Sequence, residues 1–178
     1  KDTLGISYAR EGYNLAEIIG KPYITINAGL NLADMYLLDG KYMESIPLSD
    51  DIIKASAGQG RNDYMSHALL IKASAYSRMG MREEAKRFFN EAERYLQYAG
   101  GDIKTRYFSD DGDFALLYGD AGEAIRSYMR ALSEDGCTYE IKLDKYLCLS
   151  EAYSAIGDDN AALKYYKMYH RLSDSLAI

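Results

Sequence analysis

The sequence is poor in the residues that form disulfide frameworks and metal sites. Its 178 residues include two cysteines, two histidines, two prolines and no tryptophan. Cys137 and Cys148 fit neither a CxxC nor a zinc-ligand spacing, and the two histidines, His67 and His170, stand far apart with no third ligand obviously paired. We therefore predict no metal site, no cofactor and no cysteine–histidine nucleophile pair. Cys148 lies among apolar helix positions and is predicted to be a small core residue, whereas Cys137 is predicted to lie in a turn.

Long apolar runs and basic clusters are also absent. No apolar stretch approaches the length of about 18 residues that a transmembrane helix needs, and no signal peptide is visible. The net charge is −6, and no more than two lysines or arginines are adjacent. We therefore expect neither nucleic-acid binding nor membrane insertion by this segment. Because the first residue is Lys1 and not methionine, we expect the chain to be part of a longer protein, and its compartment is left open.

What the sequence does contain is an internal repeat with a period of about 40 residues. A glycine is followed after five residues by a small residue, and an aromatic residue stands four positions further on. The copies read Gly80-Ala85-Phe89-Ala92, Gly119-Ala124-Tyr128-Ala131 and Gly157-Ala162-Tyr166-Tyr169, with a weaker copy at Gly40-Ser45-Ser49-Ile52 and a second half only at Ala9-Tyr13-Ala16. Repeat arrays bury their core between neighbouring copies, so the pattern favours a binding surface over an active site.

The spacing of apolar residues predicts helices in pairs. The first helices are predicted at 24–38, 66–79, 105–118 and 141–156, and the second helices at 41–57, 81–98, 120–134 and 159–175, after a single helix at 5–19. The glycine between the partners suits the left-handed conformation that ends a helix. Pro22 fits a helix start, whereas Pro47 predicts a kink or a break in the second helix of the first pair. No useful alternation of apolar and polar residues predicts strands.

Small and aromatic residues recur at fixed distances before each glycine. A small residue stands seven positions before it and, in three copies, a tyrosine stands four before it: Ala33 and Tyr36, Ala73 and Tyr76, Gly112 and Ala115, Ser150 and Tyr153. Small residues let helices approach closely, and the aromatic residues fill the space beside them. The order of small residue, aromatic, glycine and Ala-x3-[Tyr/Phe]-x2-Ala resembles the tetratricopeptide repeat, most closely in LLIKASAYSRMGMREEAKRFFNEA from Leu69 to Ala92.

This resemblance covers essentially the whole chain. It implies one all-α domain, a right-handed α–α superhelix of about four helix pairs plus an N-terminal single helix, that binds a protein or peptide and is not an enzyme. The ending AALKYYKMYHRLSDSL resembles the last repeat of tetratricopeptide sensor domains in bacterial two-component and hybrid regulators. It implies a sensory or adaptor segment of such a regulator, periplasmic if the resemblance holds and cytoplasmic otherwise. A stand-alone scaffold is the first alternative, and a helical-array enzyme is the second.

The resemblance implies that the first helix of every pair lines a concave face. Counting along these helices in steps of three, four and three gives the residues that share this face. They are Asn27, Leu30, Asp34 and Leu37; His67, Leu70, Ser74 and Ser77; Arg106, Ser109, Asp113 and Leu116; and Asp144, Leu147, Glu151 and Ser154. Apolar anchors among acids favour a basic or neutral peptide segment, although solvated helix residues would give the same pattern.

Three further features are interpreted as structural. The run Ser109-Asp110-Asp111-Gly112-Asp113 lacks the pattern of a calcium loop and is predicted to cap a helix start. Gly58-Gln59-Gly60 is predicted to be a flexible turn and not a phosphate loop. The ends of the array are predicted to allow a homodimer through Tyr165, Tyr169 and Leu172.

Overall fold

All regular structure among the described residues is helical, as the sequence predicts. The computed structural model describes residues 3–176, and the side chains of residues 4–175. Within this range the α-helices, in chain order, are α1 Thr3–Ile19, α2 Pro22–Leu38, α3 Tyr42–Gly58, α4 Asn62–Arg78, α5 Arg82–Glu93, α6 Gly101–Leu117, α7 Ala121–Ser133, α8 Tyr139–Ala155 and α9 Asp159–Leu176. The predicted helix 81–98 is shorter, because α5 ends at Glu93 and a 3-10 helix follows at Leu96–Tyr98.

The helices pack as predicted, in four pairs after a single first helix. They form two compact units, of which unit 1 ends at Ala99 and unit 2 begins at Gly100. Unit 1 contains α1 and the pairs α2–α3 and α4–α5. Unit 2 contains the pairs α6–α7 and α8–α9. The expected single continuous domain stays a prediction, and each unit is described by itself.

One hydrogen-bonded turn ends the first helix of every pair. In the first pair, the Lys41 amide donates to the carbonyl of Tyr36 at 2.8 Å and the Gly40 amide donates to the carbonyl of Leu37 at 3.2 Å. The same two bonds recur around the glycines at the other pair turns, namely Gly80, Gly119 and Gly157. All of them have φ between +74° and +82°, the left-handed conformation that an L side chain resists. The predicted role of these glycines is confirmed.

The small and aromatic residues of the repeat form the core, also as predicted. Ala33 and Ala73 are fully buried in unit 1, while in unit 2 the ring of Tyr128 is 1% exposed and packs with Leu149 and Ala152 of α8. Burial of each of the larger side chains contributes about 1.5–3 kcal/mol to the stability of the fold. The last pair differs, because Tyr166 is 45% exposed. No helix pair follows α9 among the described residues, so this ring has no partner helix there.

Helix α3 is continuous through Pro47, so a break there is wrong, and the alternative of a kink stays a prediction. Pro47 and Met43, whose carbonyl would otherwise accept from an amide at position 47, are both exposed residues of α3. The buried face is held by serines. Ser45 Oγ donates to the Ala33 carbonyl on α2 at 2.9 Å, and Ser49 Oγ donates to the Ser45 carbonyl at 2.8 Å. Ser45 and Ser49 depart from the repeat pattern, but their buried hydroxyls both have hydrogen-bond partners inside the core.

Gly112 gives a sharp test of close packing in unit 2. A Cβ atom at this position would lie 2.5 Å from Cε1 of the Tyr128 ring. We expect Gly112→Ala to lower the free energy of unfolding by about 2 kcal/mol, although alanine is the better helix former. Gly122→Ala is the matched control, since its nearest neighbour would be 3.7 Å away, and should change stability by at most about 0.5 kcal/mol. Equal urea midpoints for the two variants would contradict this packing.

Candidate functional site

In unit 1 the structure brings predicted face residues of α2 and α4 together. His67 Nε2 lies 2.7 Å from Asp34 Oδ2, and both side chains are about four-fifths buried, with 17% and 20% exposed. Two turns before Asp34 on α2, Asn27 Nδ2 donates to the hydroxyl of Tyr64 on α4 at 3.2 Å. Tyr64 was not predicted, although it stands three residues before His67 and therefore on the same helix face. These two side-chain contacts connect the first helices of consecutive pairs.

Four predicted face residues of unit 1 lie in the core. Leu30 is 2% exposed, Leu70 is fully buried and Ser74 is 4% exposed. Leu37 is buried as well, and Ser77 is half-buried. Helix α4 is buried at every position from Ala68 to Ala75, so its apolar residues belong to the core and do not form open anchors. Counting residues on one helix identifies a face but does not show what covers that face.

Lys72 of α4 is a buried cation that the sequence analysis missed. Its Nζ lies 2.5 Å from Asp50 Oδ1 on α3 and 4.0 Å from the centre of the Phe88 ring on α5. The Phe88 ring in turn stacks on Tyr76 at 5.3 Å. Lys72 therefore joins two helix pairs of unit 1 and is positioned to stabilise the fold, not to contact a ligand.

In unit 2 a second buried lysine links the predicted acids. Lys145 of α8 has 4% of its side chain exposed, and its Nζ lies 3.0 Å from Asp113 Oδ1 and 2.9 Å from Asp144 Oδ2. The hydroxyl of Tyr128 donates to the same Asp113 oxygen at 2.9 Å. Nothing in the repeat pattern identified Lys145, because the pairing depends on how α6, α7 and α8 meet.

The protonation of this cluster follows from burial and from its carboxylates. Burial alone would lower the pKa of Lys145, but Asp113 and Asp144 more than offset it and raise the pKa of Lys145 above its ordinary value. Burial and then the Asp113 charge raise the pKa of Tyr128. Burial raises the pKa of the half-buried Cys148 thiol to about 11, although Lys145 opposes this. At physiological pH Lys145 is therefore charged, and Tyr128 and Cys148 are neutral.

Both carboxylates that pair with Lys145 remain open to solvent. The Asp113 and Asp144 side chains are 55% and 62% exposed, Glu151 is exposed and Leu147 beside them is half-buried. Asp144, Leu147 and Glu151 follow the predicted steps along α8. Together with Asp113 of α6 they form a surface that we call the α8 acidic face: Asp113, Asp144, Leu147 and Glu151.

The remaining predicted residues of unit 2 lie along α6 and at the end of α8. Arg106 Nε lies 3.7 Å from Asp110 Oδ2 one turn further along α6. Ser109 is buried at 9% exposure and Leu116 is half-buried, whereas Ser154 on α8 is exposed.

The acidic run of α6 does not cap a helix start. The residues from Ser109 to Asp113 lie in the middle of α6, so the capping prediction is wrong. Asp111 accepts a hydrogen bond from Ser127 Oγ at 2.5 Å, and Asp113 accepts those of Tyr128 and Lys145. Asp111 and Asp113 therefore connect α6 to neighbouring helices and do not cap a helix end.

The predicted dimer residues of α9 are mostly covered within unit 2. Tyr165 is 8% exposed and stacks on Tyr153 with ring centres 5.4 Å apart. Tyr169 and Leu172 are half-buried. Dimerisation stays a prediction. Among residues 3–176, no helix has the length and hydropathy of a membrane span.

Comparison with known proteins adds a family match to this geometry. Residues 66–95, which span most of α4 and all of α5, match the model of the tetratricopeptide repeat. A comparison with curated protein sequences gives no significant match.

Solved structures share the fold of this chain. The crystal structure of BtubC (BKLC) from P. vanneervenii has 19% identity and a TM-score of 0.77, and the match covers 96% of this chain and 72% of BtubC. MamA AMB-1 has 17% identity and a TM-score of 0.60, with 96% of each chain covered. At such low sequence identity the comparison shows only the fold. That fold is a tetratricopeptide-like helical solenoid. Arrays of this fold typically present binding surfaces for other polypeptides.

Lys145→Met tests the cluster of unit 2. Methionine keeps the apolar stem but leaves Asp113 and Asp144 without their cation, so we expect a loss of about 2 kcal/mol near pH 8, less than for a fully buried pair. Since the pKa of Lys145 is raised above 10.5 on folding, this contribution is complete below that pH and falls as the pH rises through the folded pKa. Urea unfolding of wild type and variant near pH 8 and near pH 11 measures both effects.

The control for Lys145→Met is Lys167→Met, at an exposed position on α9. We expect it to change stability by at most about 0.5 kcal/mol at either pH. A loss of stability for Lys145→Met at pH 8 that is no larger than the loss for Lys167→Met would contradict the role of the charge pair.

Proposed function

We propose that the chain is a polypeptide-binding module and that the α8 acidic face is its contact surface. The observation that carries this proposal is the exposure of Asp113 and Asp144 beside Leu147, over a lysine that is almost completely buried. Lys145 fixes two of the carboxylates, while most of their surface still faces solvent. A partner with basic residues around an apolar side chain complements this arrangement in charge and in hydrophobic contact.

The carboxylates of the α8 acidic face are arranged for binding and not for acid–base catalysis. A helical-array enzyme would need acids that converge in a closed pocket. Asp113 and Asp144 are instead more than half exposed, and both lie within 3.0 Å of one buried ammonium group. The geometry therefore favours a non-catalytic module over the enzyme alternative.

The more specific proposal is a sensory or adaptor segment of a bacterial signalling regulator. It is supported by the resemblance of AALKYYKMYHRLSDSL to the last repeat of such sensors, and α9 carries this sequence. On this proposal the segment is periplasmic. The reading frame around the chain tests it: a membrane helix and a kinase or DNA-binding domain downstream are expected. A reading frame that encodes repeats alone would favour the alternative, a stand-alone scaffold.

A displayed random-peptide library tests the α8 acidic face. Panning on the wild-type chain should enrich peptides with an excess of lysine and arginine. Asp144→Asn/Glu151→Gln should weaken their binding about three- to tenfold in fluorescence anisotropy at low salt, as expected for the loss of two exposed charge pairs. The effect should decrease as salt is added.

The matched control for this experiment is Asp135→Asn/Asp174→Asn. It removes the same net charge from exposed positions of unit 2 outside the α8 acidic face. Equal weakening by the two double variants would indicate a general charge effect and would contradict a defined face. Enrichment of acidic peptides, or of none, would reject the proposal.

A further inference from the structure

Unit 1 contains a cleft that none of the features described above uses. It has a volume of about 350 Å³ and lies where α1, α2 and α3 meet. Its lining includes Tyr13, Glu17, Ile26, Asp51, Ile52 and Gln59. Ile26 and Ile52 are 2% and 3% exposed and form an apolar floor. Glu17, Asp51 and Gln59 are exposed and form the rim.

Tyr13, which lines the cleft, is less covered than two of its equivalents in later repeats. Phe89 and Tyr128 hold the same repeat position and are 2% and 1% exposed, whereas Tyr13 is half-buried and lines the cleft. Gly29 of α2 fixes the wall beneath, since a Cβ atom there would lie 3.1 Å from Tyr13 Cε2 and 3.2 Å from Ile52. The wall is close-packed, so the cleft is a stable feature of the fold.

The chemistry of the lining favours a cation. Two carboxylates, Glu17 and Asp51, stand on the rim, and no lining residue is basic. Burial raises the pKa of Tyr13, and the nearby Glu17 and Asp51 raise it further, so the phenol stays neutral. Lys54 Nζ lies 3.8 Å from Asp51, but both side chains are more than 70% exposed, at 78% and 72%. Such a solvated pair is weak and is readily exchanged for another cation.

We propose that this cleft binds a lysine or arginine side chain of a partner polypeptide. The aliphatic stem lies on Ile26 and Ile52, and the cationic head lies between Glu17 and Asp51 near the ring of Tyr13. Long basic side chains combine an apolar stem with a charged tip, which matches an apolar floor under an acidic rim. The volume is near the lower end for ligand pockets and suits one side chain, whose backbone stays outside.

Two-dimensional NMR spectra of the isotope-labelled chain test this inference with defined probes. N-acetyl-lysine methylamide or N-acetyl-arginine methylamide should cause saturable shifts at the amides of Gly20, Thr25 and Gln59. N-acetyl-norleucine methylamide, which keeps an aliphatic stem without the charge, should cause much smaller shifts. Glu17→Gln/Asp51→Asn should weaken binding of the cationic probe about tenfold.

The matched control is Glu11→Gln/Glu44→Gln, which removes the same charge from exposed positions on the same two helices, α1 and α3. It should leave the probe's affinity unchanged. Equal shifts with the norleucine probe, equal losses in both double variants, or shifts confined to other parts of the chain would overturn the proposal. The reporter amides all lie in unit 1, so this result is independent of the test on the α8 acidic face in unit 2.

Discussion

Close contact between paired helices at small residues is the constraint on which the rest of the structure depends. Ala33 and Ala73 are fully buried where their helices meet. In the first and last pairs a serine hydroxyl crosses the contact, from Ser45 to the Ala33 carbonyl and from Ser150 to the Ala162 carbonyl. Such bonds need helices that lie close together. The glycine turns hold each pair in register, and the aromatic residues then fill a space whose size is already fixed.

Buried lysines add a second level of organisation. Lys72 joins α4 to Asp50 of the preceding helix pair, and Lys145 joins α8 to Asp113 of the preceding pair in unit 2. A lysine whose stem is packed and whose ammonium meets a carboxylate at the edge of the core avoids most of the cost of burying a charge. In unit 2 the same arrangement leaves carboxylate surface in solvent. The stabilising contact and the proposed binding face therefore share their residues.

The candidate site shows where prediction from the sequence succeeded and where it did not. The concave face that the resemblance implies, with counting along each helix, placed Asp34 and His67 together, and the structure pairs them at 2.7 Å. The same counting included Leu30 and Leu70, which are buried. Periodicity assigns a residue to a side of its own helix, but burial depends on the neighbouring helices. For the same reason the cleft around Tyr13 had no signal in the repeat.

The sequence determined the all-α fold, the number of helix pairs and the position of every pair turn, because these depend on local spacing and on glycine conformation. It also indicated that small residues mark the helix contacts. The tertiary structure alone decided that α3 continues through Pro47, that Ser109 to Asp113 lie in the middle of α6 and that Lys145 connects two carboxylates. Those outcomes depend on side chains distant in sequence, which meet only when several helices have packed.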